Sequence, residues 1–323
     1  MAGNGLFTLV LAFGLGGCAV SQGLEPDLTA MGGAAGGPGV AGTGASNGIG
    51  GLPGAGGTSS GAGGGSGASV GSGGAPGPSG ECEGSLKQIH VLTTLGTPTL
   101  YRFDADQISL TEVGKVVCPF SPPLSSFTLS RDGTAWLGAT SGQIFKLALD
   151  TLDCAQVDYQ PKTSGWYQLQ LAFVADAPGA KTETLFVVDG PSGSLGTLNP
   201  DTLQVTKIGA LSPVINQPRI TGTGDGKLFT MGFTTPIGEV DKGNAKVKVM
   251  KEVDELGGNG GGLGFAQLDG DLFAFRGVGT TVRVGRYSQS TQQLTLLKDV
   301  SIGKQALVAG AGASTCAPYQ PGN

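Results

Sequence analysis

One short pattern occurs five times from residue 100 onward, and it limits the possible folds more than any other feature of the chain. It first reads Leu100-Tyr101-Arg102-Phe103-Asp104-Ala105-Asp106-Gln107-Ile108-Ser109-Leu110-Thr111. It returns from Ile144, Leu195, Ile237 and Val284, at spacings of 44, 51, 42 and 47 residues. Each copy joins an apolar-x-x-apolar run, a turn rich in Asp, Asn, Gly, Ser or Thr, and a second alternating run, which is the signature of a β-hairpin. Five hairpins at a period in the forties predict an all-β, five-bladed β-propeller.

Just before each hairpin lies a run that is apolar on both faces, as in Gln88-Ile89-His90-Val91, Thr134-Ala135-Trp136-Leu137 and Thr184-Leu185-Phe186-Val187. Lys227-Leu228-Phe229-Thr230 and Asp271-Leu272-Phe273-Ala274 complete the set. A strand covered on both sides inside a blade has this composition. Residues 125–130, 168–175, 219–223 and 262–267 supply innermost strands for the last four units. Asp132-Gly133, Asp225-Gly226 and Asp269-Gly270 provide tight turns after three of them. The first unit has no such strand, because too few residues separate Glu81 from Gln88. Residues 304–310, at the far end of the chain, are the expected replacement. Inserted in the first blade, they close the ring and leave no open sheet edge.

The cysteines support closure. Apart from Cys18 there are four: Cys82, Cys118, Cys154 and Cys316. An even number in an exported chain implies two disulfides. Cys82 opens the domain and Cys316 ends it, so ring closure pairs them. Cys118 follows the last strand of the first blade and Cys154 lies in the outer strand of the second, so these two are paired as spatial neighbours. No close Cys/His pair suggests a metal site, and neither metal nor cofactor is expected.

The N-terminal part reads differently. Leu6-Phe7-Thr8-Leu9-Val10-Leu11-Ala12-Phe13 has the length of a signal-peptide core and is too short to span a bilayer. Leu15-Gly16-Gly17-Cys18 resembles the lipobox of bacterial lipoproteins, which implies cleavage after residue 17 and lipidation of Cys18. Ala19, rather than Asp, after the cysteine implies sorting to the outer membrane. Residues 28–80 carry no Asp, Glu, Lys or Arg and are dominated by Gly. Such a segment cannot bury enough apolar surface to offset the entropy of ordering it. Residues 18–80 are therefore expected to be a disordered tether with a span of about 45 Å. The propeller is expected over 81–318, with 319–323 as a tail. A net charge of −5 and a pI near 4.9 exclude the basic surface that sequence-independent nucleic-acid binding needs. The expected state is a monomer.

The chain has a single histidine, His90, which aligns with Trp136, Phe186, Phe229 and Phe273 and reads as a ring packed inside a blade. No nucleophile elbow accompanies it. Asp104, Asp106, Asp150, Asp201 and Asp241 fall in hairpin turns, and the innermost strands hold almost no acid, so no catalytic residue is assigned. The links from outermost to innermost strand share one face with the links between second and third strands. That face is expected to present Trp166, Tyr167, Asp189, Phe233, Arg276 and residues 254–262. Aromatic side chains with one polar tip suit protein or glycan contacts, and Trp166, Tyr167, Asp189 and Arg276 are the expected ligand-contact residues. The reading is a non-catalytic binder. The alternatives are a glycoside hydrolase or lyase using channel carboxylates, and a structural envelope protein.

The lipobox, the Gly-rich tether, Leu100-Tyr101-Arg102-Phe103-Asp104, Arg131-Asp132-Gly133-Thr134-Ala135-Trp136 and Gly312-Ala313-Ser314-Thr315-Cys316-Ala317-Pro318 together resemble predicted lipoproteins of myxobacteria. The resemblance implies a surface-exposed propeller on a lipid anchor and carries no catalytic residues.

Overall fold

The computed structural model describes Cys82 and residues 84–119, 123–234, 236–252, 256 and 261–320. The expected signal peptide, the tether, Cys18 and most of the 254–262 loop lie outside the described residues.

Among the described residues twenty strands form five antiparallel sheets of four. Blade 1 contains β1 (Ile89–Thr93), β2 (Thr99–Asp104) and β3 (Ser109–Lys115). Blade 2 runs outward through β4 (Leu124–Leu129), β5 (Thr134–Ala139), β6 (Ile144–Ala148) and β7 (Cys154–Gln156). A single helical turn, α1 (Pro161–Ser164), interrupts the link to blade 3. Blade 3 follows with β8 (Leu169–Ala175), β9 (Glu183–Asp189), β10 (Ser194–Leu198) and β11 (Val205–Ala210). Blade 4 has β12 (Arg219–Gly222), β13 (Leu228–Met231), β14 (Ile237–Val240) and β15 (Val247–Lys251). Blade 5 has β16 (Leu263–Leu268), β17 (Asp271–Val278), β18 (Thr281–Ser288) and β19 (Gln293–Ser301). The last strand, β20 (Val308–Gly312), is the innermost strand of blade 1, in the order β20-β1-β2-β3. The fold is the five-bladed propeller that the repeats predict, closed by the C-terminal strand.

The closing strand begins four residues later than expected. Ile302 to Leu307 form a link instead, held by the Ala306 N–H to the Gly279 carbonyl at 2.8 Å and by Lys304 Nζ to Thr99 Oγ1 at 2.9 Å. In the strand itself, His90 faces Gly312, Val91 faces Ala311 and Leu92 faces Gly310. The small residues are required by contact. A β-carbon on Gly310 would sit 2.6 Å from the Phe127 nitrogen, and one on Gly264 would sit 2.8 Å from the Ala311 methyl.

The inner edges of the sheets are covered in part by their neighbours. Ser126 Oγ accepts the Leu171 N–H at 2.9 Å, and Thr128 Oγ1 accepts the Phe173 N–H at 3.2 Å. Five apolar clusters lie between successive blades, one at each junction around the ring. Tyr319, the first residue of the expected tail, packs against the blade 4–5 cluster, and its hydroxyl donates to Gln289 Oε1 at 3.0 Å.

The repeat is visible in detail. Ile108, Leu152, Leu203, Ala245 and Gln292 end the five turns between third and fourth strands, and all five have positive φ, from 47° to 61°. The acids in these turns serve as acceptors: Asp104 Oδ1 receives the N–H groups of Asp106 and Gln107, and Asp241 Oδ1 receives that of Gly243. In four blades the pairing of third and fourth strands slips by a bulge at the same place, after Leu100, Leu195, Ile237 and Val284. A bulge bends and twists the strand that carries it.

Both expected disulfides are present, Cys82–Cys316 and Cys118–Cys154. The first joins residues 234 apart and fastens the closing strand to the start of the domain. Replacing Cys82 and Cys316 together by Ser should lower the unfolding free energy by roughly 2–5 kcal/mol, measured by urea unfolding. A smaller loss from the Cys118→Ser, Cys154→Ser pair is expected, since that bond closes a loop of only 36 residues.

Candidate functional site

The links that carry the candidate contact residues lie on one face of the ring, and the exposed apolar side chains show how that face differs from the other. Among the described residues nine large apolar side chains are exposed. Leu95, Tyr167, Val214, Val278 and Leu307 belong to the link face. Val113, Val249 and Leu296 are on outermost strands, and Val117 lies along β7 at the rim, bridged to Asp153. None lies in the turns of the opposite face.

Trp166, Tyr167 and Asp189 come together at blade 3. The link that carries them is braced from within. The Tyr159 hydroxyl lies 2.8 Å from Ser164 Oγ and 3.2 Å from the Trp166 carbonyl, and Ser164 Oγ also accepts the Trp166 N–H. Asp189 is buried, with Oδ1 accepting the Tyr167 N–H at 2.9 Å and Oδ2 the Ser192 N–H at 3.1 Å. It fixes the link and does not face solvent. Trp166 is 9% exposed and packs in the cluster between blades 2 and 3. Its Cη2 would lie 3.0 Å from a β-carbon on Gly196. Blades 1 and 2 carry Tyr101 and Phe145 at the position of Gly196, so Trp166 fills from outside the space that an aromatic side chain fills there from within. Of the three, Tyr167 alone is exposed, at 42%.

Arg276 belongs to a different cluster, at blades 4 and 5. It lies near the end of β17, opposite Leu263, and is 2% exposed. Its Cζ is 5.2 Å from the centre of the half-buried Phe233 ring, and Arg219 Cζ lies 5.4 Å from the same ring. Two guanidinium groups therefore share one aromatic ring. Arg219 is anchored by Nε to the Leu263 carbonyl at 2.9 Å and by Nη1 to the Pro218 carbonyl at 3.2 Å. Burial lowers its pKa to about 10, still far above neutral pH, so it stays charged. Arg276 is lowered as well, by burial first and then by the Arg283 charge. The sequence reading missed Arg219. A signal was present, since it is the sole charged residue in the five innermost strands.

The five innermost strands enclose a small axial cavity. The axial cavity, bordered by Ser126, Phe127, Gln170, Arg219, Ile220 and Phe265 among others, holds about 10 Å³, which is room for at most one water. No carboxylate borders it. Glycosidic cleavage needs two carboxyl groups across the bond, and among the described residues none lines this cavity. Among the described residues no three His, Cys, Asp or Glu side chains converge as a metal site.

His90 is part of the packing. It lies opposite Arg102, just as Trp136 lies opposite Lys146, Phe186 opposite Thr197, Phe229 opposite Glu239 and Phe273 opposite Arg286. Burial, and after it the Arg102 charge, lower its pKa from 6.5 to about 4, partly offset by a hydrogen bond with the backbone of Gln88.

No protein-family model matches the sequence, and neither does any curated protein. The backbone is similar to a chain in the crystal structure of a nidogen/laminin complex, at 12% identity and a TM-score of 0.45, over 69% of this chain and 97% of that one. It is similar to TolB from Acinetobacter baumannii, at 13% identity and a TM-score of 0.41, over 71% and 55% of the two chains. It is also similar to virginiamycin B lyase from Staphylococcus aureus, at 14% identity and a TM-score of 0.39, over 66% and 70%. Likenesses this distant transfer neither ligand nor activity to this chain.

Two measurements test these assignments. Trp166→Ala should cost about 3–5 kcal/mol of stability, as for other large core truncations, while Tyr167→Ala should stay within about 0.5 kcal/mol; urea unfolding of both variants decides it. For His90 the folded pKa lies below the unfolded one, so between pH 6.5 and about 4 the unfolded chain takes up a proton that the folded chain refuses. Stability should fall with acid across that window by about 3 kcal/mol. His90→Phe, which installs the ring found in three other blades, should remove that part of the pH dependence. Parallel acid loss in both proteins would show that His90 is not the group responsible.

Proposed function

We propose that the propeller is a non-catalytic binding module that meets a protein partner through its link face. The observation that carries this reading is the segregation of exposed apolar side chains: Leu95, Tyr167, Val214, Val278 and Leu307 lie on that face, and the opposite turns have none among the described residues. Five of the nine exposed large apolar side chains among the described residues are on this face, where a partner would cover them. Four of the five side chains are aliphatic, which suits a protein better than a glycan, whose recognition would draw on exposed aromatic rings. The two disulfides fit a protein that folds in an extracellular or periplasmic compartment. No described helix is long and apolar enough to cross a membrane.

The attachment belongs to the same proposal. Leu15-Gly16-Gly17-Cys18, followed by Ala19, supports a lipid on Cys18 that holds the protein at the outer membrane or cell surface, with residues 18–80 as the spacer. Several acyl chains on one residue anchor firmly, at about 0.8 kcal/mol per buried methylene.

Both halves can be tested in an expressing bacterium. Radiolabelled palmitate should enter the wild-type protein and not Cys18→Ala, and the variant should leave the detergent phase. For the face, in-cell crosslinking through a photoreactive residue at position 214 or 95 should give discrete protein adducts. The same residue at position 150 or 201, in the opposite turns, should not. Equal crosslinking from both faces would overturn the assignment.

A further inference from the structure

We infer that the link face recognises an acidic segment of its protein partner, with one carboxylate of that segment pairing with Arg276 beside Phe233. The inference rests on the binding reading above and adds the chemistry of the partner.

Arg276 is the reason. It is 2% exposed, and its Nη2 is buried without an acceptor among the described residues. No described carboxylate is within ion-pairing distance of it, and its described interactions are the Phe233 ring and the repulsion of Arg283. A buried guanidinium does not escape this cost by losing its proton, because it is the most weakly acidic of the side-chain cations. Buried charge without a partner is among the least favourable arrangements in a protein. The strand neighbour shows what is absent. Arg283 lies directly opposite Arg276 on β18, and it has Asp299 in a two-pronged bond at 2.8 and 2.9 Å. Asp299 therefore serves Arg283, and no described carboxylate pairs with Arg276.

Arg219 strengthens the case. It holds a second fixed positive charge against the same ring, and two of its nitrogens are already bound to carbonyls, which sets its position. A carboxylate entering beside Phe233 would gain a charge-assisted bond to Arg276 in a site of low dielectric and would relieve the repulsion between like charges. The half-buried Phe233 is the part of the cluster that solvent reaches. Val278, two residues after Arg276 at the end of β17, and Val214, in the link that leads to β12, are exposed apolar side chains of the same face. The partner segment that matches is an Asp or Glu flanked by apolar residues.

The test is selection from a random heptapeptide phage library on the full chain, repeated on Arg276→Met, Arg276→Lys and Val214→Glu. Thermal melts of each variant establish that it is folded. The expected result is enrichment of peptides with one Asp or Glu between apolar residues. A synthetic copy of the leading peptide should bind roughly tenfold or more weaker to Arg276→Met, and should weaken similarly when its acid is changed to the amide. Arg276→Lys should retain part of the affinity. Peptides without acids, lost on Val214→Glu but kept on Arg276→Met, would overturn the carboxylate and leave the contact face standing. Peptides indifferent to both variants would overturn the face itself. Polygalacturonate, run as a competitor, covers carbohydrate acids: displacement of the peptide by polygalacturonate at equal carboxylate concentration would overturn the choice of a protein partner.

Discussion

Everything in the domain depends on a strand from the end of the chain pairing with a strand from its beginning. β20 supplies the backbone partners for β1, and it also occupies the wedge between β16 and β4. The space is so narrow that Gly310, Gly312 and Gly264 cannot carry side chains without meeting neighbouring residues at 3.1 Å or less. Closure therefore needs a strand that is both sticky along its edge and nearly bare on its faces. Val308-Ala309-Gly310-Ala311-Gly312 is such a strand. The Cys82–Cys316 bond lies just beyond it and limits the freedom of both ends in the unfolded chain, which is where most of its stabilising effect arises.

Given closure, five blades must be similar enough to form a ring but need not be filled in the same way. The third strand shows this most clearly. The residue that follows Leu100, Ile144, Leu195, Ile237 and Val284 is an aromatic in blades 1 and 2, Tyr101 and Phe145, and glycine in blades 3, 4 and 5. Each glycine is covered by a side chain from elsewhere: Gly196 by Trp166 and Val205, Gly238 by Val247 and Gly285 by Leu256. The volume is conserved while its source changes. Tight interior packing requires only that the space be filled. The tryptophan that looked like a contact residue in the sequence is thus the blade 3 solution to a packing problem shared by three blades.

This also explains what was legible in the sequence. Blade number, the innermost strands to within a residue or two, the closing role of the C-terminus and both cysteine pairs follow from period, alternation and chain order, all of which are properties of the backbone. The start of β20 was displaced because Lys304 to Leu307 run into the strand with no turn residue between, yet are held as a link by Gly279 and Thr99. The site was less legible, because exposure is set by tertiary neighbours. Nothing in the sequence distinguishes Trp166, which meets a glycine on another strand, from Tyr167, which does not. Asp189 likewise looks free until the backbone of its own link is placed around it. Arg219 was readable as an oddity, a charge in a strand class that has no other, but its meaning required Phe233 and Arg276 to be placed beside it.

The two faces of the ring differ because the connections differ. Turns between adjacent antiparallel strands are short, and they recruit Asp and Asn to bind their own backbone, as Asp104, Asp132, Asn199 and Asp241 do. Many of the described carboxylates therefore lie on the turn face, where Asp104, Asp132, Asp150, Asp176, Asp225 and Asp241 already accept hydrogen bonds. The longer links on the other face rely on apolar anchors such as Ile215, Leu256 and Trp166, and their exposed positions are free to be apolar as well. Among the described residues no carboxylate pairs with Arg219 or Arg276, whose shared contact is the Phe233 ring. A face assembled in this way offers apolar side chains at its rim and positive charge near its centre, a distribution complementary to an acid set among apolar residues.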